Sequence, residues 1–132
     1  MKSNLGVTVI LVKNNQVLLG KRINAYGEGS YGLPGGRVSD KETIEDCLKR
    51  ELKEEVGVSP VEFRLLGVVK EWQKTNFFIH FVYLCTKWRG KIRTCEPDKC
   101  EEWYWFDLIN LPEPILNGHQ LGLRLLGEDR AK

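Results

Sequence analysis

The chain has 132 residues, with 20 Lys and Arg against 18 Asp and Glu, a formal net charge of +2 and 42% hydrophobic residues. That length and composition suit a single domain spanning 1–132 with a core of its own. So small a charge, with no basic block or low-complexity tail, argues against a nucleic-acid or membrane partner and for a small anionic one, and no stretch nears the roughly 20 apolar residues of a membrane span.

Met1 to Ile10 lacks the long apolar region and small-residue cleavage site of a signal peptide, so a cytoplasmic location is the default expectation. An apolar strand is expected at about Val7 to Val12, a turn at Lys13-Asn14-Asn15 and a second strand from about Gln16 to Arg22, together a hairpin. Lys21 and Arg22 end that strand as a basic pair, placed either to contact substrate phosphates or simply to face solvent. The Gly-, Asn- and Ser-rich segment from Ile23 to Tyr31 reads as a mobile loop able to gate a pocket. In Leu33-Pro34-Gly35-Gly36, proline and paired glycines force a tight turn and let backbone groups approach a ligand closely.

The next segment is a helix with both ends marked. Thr43 and Asp46 resemble a capping box, and Gly57 is placed as the C-terminal stop. Ile44, Leu48, Leu52 and Val56 recur every four residues, with Cys47 beside them, and define the face that packs. Glu51, Glu54 and Glu55 lie on the neighbouring face at spacings that bring carboxylates together. Like charges so spaced cost a bare helix roughly 0.2–0.5 kcal/mol per pair, so a compensating cation makes sense of them. Mg²⁺, with Mn²⁺ as the alternative, takes such hard oxygen ligands and shares its other positions with water and phosphate oxygens. A lone acidic triplet would be no more than a solvated helix face.

Beyond the helix, Val61 to Trp72 and Phe77 to Trp88 form β-branched and aromatic runs around a turn at residues 73–76, a long hairpin. The sheet continues at Glu102 to Phe106, a short helical turn is expected from Asp107 to Pro112, and a final amphipathic helix from His119 to Leu126. Trp72, Phe77, Trp103 and Trp105 can stack on a nucleobase or serve as core and surface cover, and Trp103 is the substrate-binding candidate among them. Cys47, Cys85, Cys95 and Cys100 show no paired ligand spacing and read as reduced thiols, and a zinc site from Cys95, Cys100 and His80 or His119 has no ligand motif behind it. Periodicity alone gives an α+β domain.

Gly36, Glu42 and the run Arg50-Glu51-Leu52-Lys53-Glu54-Glu55-Val56-Gly57-Val58 match every fixed position of the Nudix box, so the chain resembles the Nudix hydrolases. The resemblance implies an α/β/α sandwich around a mixed sheet and a metal-assisted attack of water on a bridging phosphate. It also implies a metal site of Glu51, Glu54, Glu55 and the Gly36 carbonyl. Arg50 and Glu42 are then expected to fix the helix, since an arginine fork suits bidentate carboxylate binding. The general base in such enzymes is a box glutamate or a loop acid, which leaves Glu51, Glu54, Glu101 and Glu102, with Glu101 the choice outside the box. Asn117 lies where related enzymes place base-reading residues, although Asn before Gly is first a turn signal.

Leu18-Leu19-Gly20-Lys21-Arg22, Leu33-Pro34-Gly35-Gly36 and residues 96–101 look most like the MutT-type branch that includes thiopurine-nucleotide diphosphatases. Nucleoside triphosphates, modified or oxidised ones included, are the substrates this implies, released as monophosphate and pyrophosphate by a monomer or homodimer. Gly35-Gly36-Arg37-Val38 also resembles the loop of GDP-mannose hydrolases, so a nucleotide-sugar hydrolase is the alternative enzyme. A catalytically idle Nudix-fold binding module would be expected to lose box acids, and none is lost here.

Overall fold

The computed structural model describes residues 4–132, so the first three residues of the Met1–Ile10 stretch lie outside the described residues. Strand β1 (Leu5–Lys13) turns into β2 (Gln16–Arg22) through Asn14 and Asn15, both at positive φ, the backbone twist that a two-residue hairpin demands. Short strands β3 (Tyr31–Gly32) and β4 (Gly35–Arg37) follow, then helix α1 (Ile44–Val56). A long hairpin of β5 (Ser59–Gln73) and β6 (Asn76–Arg89), strand β7 (Cys100–Asp107) and helix α2 (Asn117–Arg130) complete the order.

The strands form one mixed sheet in the order β3-β2-β1-β6-β5, with β4 paired to β1 and β7 to β2. β1 runs parallel to β6 from Leu5 opposite Ile79 to Leu11 opposite Cys85, and it is buried on both faces, as its nearly continuous apolar run requires. Alternation then sorts the core into two layers. Val7, Val9, Leu11 and Leu18 face α1 with Cys47, Leu48, Leu52 and Val56, while Ile10, Val12, Val17 and Leu19 face the α2 side with Val82 and Leu126. The result is an α+β domain, as periodicity indicates, arranged as the helix–sheet–helix sandwich with a mixed sheet that the family resemblance implies.

Helix α1 has the ends its sequence marks. Thr43 Oγ1 accepts from Asp46 N, Asp46 Oδ2 accepts from Thr43 N, and Gly57 sits at φ 79° in the left-handed region as the stop. Leu52 is fully buried between the helix and the sheet. Leu52→Ala is therefore expected to lower unfolding stability by about 2–5 kcal/mol, read as a shift of the denaturant midpoint at unchanged slope.

Two elements differ from the sequence reading. Residues 107–110 close a single turn, with Asn110 N donating to Asp107 O, and no helix forms there before Pro112. The last helix begins at Asn117 rather than His119, because a buried side chain from the sheet satisfies its first turn: Glu71 Oε2 accepts from Gly118 N at 3.0 Å. A carboxylate there also favours the positive end of the helix.

Candidate active site

Helix α1, the β4 turn and the loop before β7 enclose a cleft of about 470 Å³ lined by Gly36, Glu51, Glu54, Glu55, Arg50, Glu96 and Lys99. The apolar side of α1 is locked into the core, so the neighbouring acidic side is held at fixed height over the β4 backbone. Glu55 reaches across to accept from Gly35 N at 2.8 Å. Glu51 leans on Gly36 so closely that a Cβ there would lie 2.3 Å from its carboxyl carbon, so only glycine fits.

Burial dominates the charge states. It pushes the Glu55 carboxyl up to about 8, with the Gly35 N–H pulling the other way and Glu51 and Glu96 adding repulsion. Glu51 is raised as well, first by burial, against the pull of Arg50, with Glu54 and Glu96 raising it further. Arg50 is the internal counter-cation. Its Nε and Nη2 grip Glu42 at 3.0 and 2.6 Å, Nη1 donates to Glu51 Oε1 at 2.8 Å and to Glu54 Oε2 at 3.3 Å, and Nη2 also donates to the Arg37 carbonyl. Such a fork fixes helix, β4 and cleft acids together.

Arg50 also holds Glu42 at about 2, well below the usual carboxylate range. A depressed carboxylate contributes stability that is complete above its unfolded value and is lost as pH falls through the folded one. Glu42→Gln is therefore expected to lower the melting temperature near neutral pH and to flatten the acid decline between about pH 4.5 and 2. A thermal-melt series across that window checks it.

The three box acids line one cleft, but they do not meet as a finished cage. Among the described residues no three His, Cys, Asp or Glu side chains converge closely enough to hold an ion. Glu55 is turned to the Gly35 amide, Glu54 is half exposed, and the Arg50 guanidinium takes up the charge of Glu51 and Glu54. The donor set still fits a hard divalent cation. It is all oxygen, two of its carboxyls are raised by burial and mutual repulsion, and Mg²⁺ needs only one or two carboxylates because it keeps water in its other positions. Gly36 lines the same cleft, and its carbonyl has the Cys47 thiol 3.9 Å away.

The cleft opens into a second cavity of about 190 Å³ between β1, β6, the loop after β2 and the start of α2. Arg22, Gly35, Gly36 and Arg37 border both spaces, so they form one continuous groove, acidic at one end and mixed aromatic and polar at the other. Its far end is lined by Phe78, Glu71, His80 and His119, and the Arg37 guanidinium lies 4.7 Å over the Phe78 ring.

The remaining site candidates separate. Arg22 borders the groove at its centre, its Nε donating to the Tyr26 carbonyl, but Lys21 alternates to the other face of β2 and does not line the groove. Trp103 lies under the helix, bordering with Arg22, Glu55, Glu96 and Lys99 a small cavity beside the cleft, and not at the groove's far end. Its Nε1 donates to the Glu55 carbonyl, and its ring packs on the α1 core. Asn117 is exposed at the start of α2 and does not line the groove, because the helix turns His119 inward instead. Glu101 and Glu102 are exposed on β7, Glu102 accepting from the Tyr104 hydroxyl. The acid of that segment that reaches the cleft is Glu96, because Lys99 N and Cys100 N both donate to its carbonyl and curl the loop back toward α1. Nothing in the spacing of two loop acids five residues apart distinguishes them; the turn does.

A family model described as NUDIX domain matches residues 2–125. The ADP-ribose pyrophosphatase of Methanocaldococcus jannaschii is 36% identical over 111 residues, 83% of this chain and 64% of its own length. The 8-oxo-dGTP diphosphatase of Buchnera aphidicola subsp. Schizaphis graminum is 32% identical over 120 residues, covering 89% of this chain and 88% of its own. A crystal structure of a MutT NUDIX hydrolase from Burkholderia pseudomallei superposes with a TM-score of 0.88 at 33% identity, covering 92% of this chain and 96% of that one.

Proposed function

The chain belongs to the Nudix family, in its MutT-type branch, and from that membership we propose that it is a Mg²⁺-dependent pyrophosphohydrolase that splits nucleoside triphosphates into monophosphate and pyrophosphate. The observation that carries this reading is the single groove in which an acidic cleft adjoins a cavity walled by Phe78, His80 and His119. A polyphosphate chain needs the first and a heterocycle the second. At about 190 Å³ the cavity is smaller than the roughly 300–1,000 Å³ usual for drug-sized ligands, and so is matched to one ring system.

Glu51, Glu54 and Glu55 are the residues that would hold Mg²⁺, with the Gly36 carbonyl beside them. The bound cation supplies neutralisation of the pyrophosphate charge and a more acidic water. Arg22 and Lys99 flank the path of the phosphates and offset their charge. Glu96 takes the proton of the attacking water from the loop side of the cleft. Arg50 keeps the carboxylates at fixed height and passes Glu51 and Glu54 from its own guanidinium to the substrate-laden site. Catalysis is then positioning and electrostatics, with no covalent nucleophile.

A second reading has its own support. Similarity to the archaeal ADP-ribose pyrophosphatase, together with Gly35-Gly36-Arg37-Val38 along the groove, favours a nucleoside diphosphate linked to a sugar. Product analysis with Mg²⁺ on canonical, oxidised and thiopurine nucleoside triphosphates, beside ADP-ribose and GDP-mannose, separates the two. Monophosphate plus pyrophosphate is expected. Cleavage of the sugar nucleotides alone would move the protein to the second reading, and no turnover of any substrate would mean a binding module that retains its box acids.

A further inference from the structure

We propose that His119 is a specificity-determining residue whose Nε2–H is a fixed donor reading a neutral acceptor, a carbonyl oxygen or ring nitrogen, on the base of the substrate. The inference rests on the nucleotide-hydrolase reading above and concerns the far end of the same groove.

The tautomer is set by the backbone. Leu33 N donates to His119 Nδ1 at 2.8 Å, so Nδ1 carries no proton and the neutral ring must carry it on Nε2. The ring stays neutral because burial, with His80 and Arg22 nearby, pushes it down to about 3. No hydrogen bond to Nε2 occurs among the described residues, while none of their side-chain N or O atoms is both fully buried and unpaired. The donor therefore opens onto the cavity that His119 lines.

The surroundings are built to keep it there. Glu71, only 3% exposed, accepts from Gly118 N and from Gln73 Nε2, and its Oε1 lies 2.9 Å from His80 Nε2. A carboxylate only accepts, so His80 Nε2 is the donor, and its Nδ1 then accepts from Thr8 Oγ1 at 3.2 Å. This chain of bonds spends the hydrogen-bonding capacity of His80 on the wall and pins the first turn of α2. A Cβ on Gly118 would come within 2.6 Å of Glu71 and 2.7 Å of His80, so the helix start sits directly on the pair. Glu71 and His80 are positioning residues; His119 is the one left to face the ligand, its ring 5.9 Å from His80 in an edge-to-face arrangement.

The test separates the structural bond from the reading bond. His119→Asn places an amide oxygen where Nδ1 accepts from Leu33 and withdraws the cavity donor; His119→Gln does the reverse. The values of kcat/KM are measured for inosine triphosphate, its 7-deaza analogue and purine riboside triphosphate, which lacks the carbonyl oxygen of the base. Wild type is expected to lose roughly tenfold on one of the two analogues, the size of one neutral hydrogen bond. His119→Asn should lose the same factor on inosine triphosphate and nothing further on that analogue, with His119→Gln recovering part of the preference. Equal rates of wild type on all three substrates, or His119→Asn discriminating as wild type does, would overturn the inference and leave the hydrolase reading standing. Absence of turnover on every nucleotide would overturn both.

Discussion

Replacing Glu54 by Gln is expected to lower Mg²⁺-dependent turnover by about 10³-fold while leaving the melting temperature nearly unchanged. Glu54 is half exposed, and its contact with Arg50, 3.3 Å long and four residues apart on the helix, is of a kind that contributes only about 0.3–0.5 kcal/mol. Stability therefore has little to lose. Turnover has much to lose, because the amide keeps the shape of the side chain but removes one of the negative charges that hold a cation beside the phosphates. The loss should appear in kcat and in a weakened apparent Mg²⁺ affinity, with excess Mg²⁺ restoring part of the rate. Glu42→Gln, which disturbs the same guanidinium from the other side, should instead move stability more than the metal titration, because Glu42 does not line the cleft and meets it through Arg50 and the Ser39 amide. Full Mg²⁺-dependent turnover in the Glu54 variant would remove the box acids from the metal site.

The contrast between those two acids also shows what a sequence can disclose. Periodicity within one element is local, so the burial of Leu48, Leu52 and Val56, the cap at Thr43, the stop at Gly57 and the acidic stripe were all legible. The strands were legible for the same reason, since β1 is apolar on both faces and the β5–β6 hairpin announces its own turn. What spacing does not carry is which loop curls toward the helix and which end of a strand borders a groove. Glu101 and Glu96 are equal in sequence and different in space; Lys21 and Arg22 are adjacent and face opposite ways. His119 and Glu71 are 48 positions apart, and the link between them through Gly118 arises only when α2 docks on β5. Asn117 carries the better residue type for reading a base, yet the helix begins there and turns the next-but-one side chain inward. The Trp103 indole was spoken for by the Glu55 carbonyl, a tertiary bond with no sequence signature.

The loop acid gives the second large effect. Glu96→Gln is expected to reduce kcat by about 10²–10⁴-fold, the usual contribution of a positioned general base, with KM little changed. Glu96 borders the cleft opposite α1, and its charge is felt by Glu51 and Glu55, both of which it raises. A carboxylate that close to the metal-binding acids, but bonded to none of them, is placed to take a proton from a water held between them. Lys99 Nζ lies 3.7 Å from its carboxylate and keeps it aimed across the opening, a half-exposed pair that constrains direction more than it stabilises. Glu101→Gln is the matched control, one acid from the same segment that is exposed and does not line the groove, and it should retain wild-type rates. If both variants keep full activity, the base belongs among the box acids, and Glu51, which leans on Gly36 and exchanges partners with Arg50, becomes the residue to replace next.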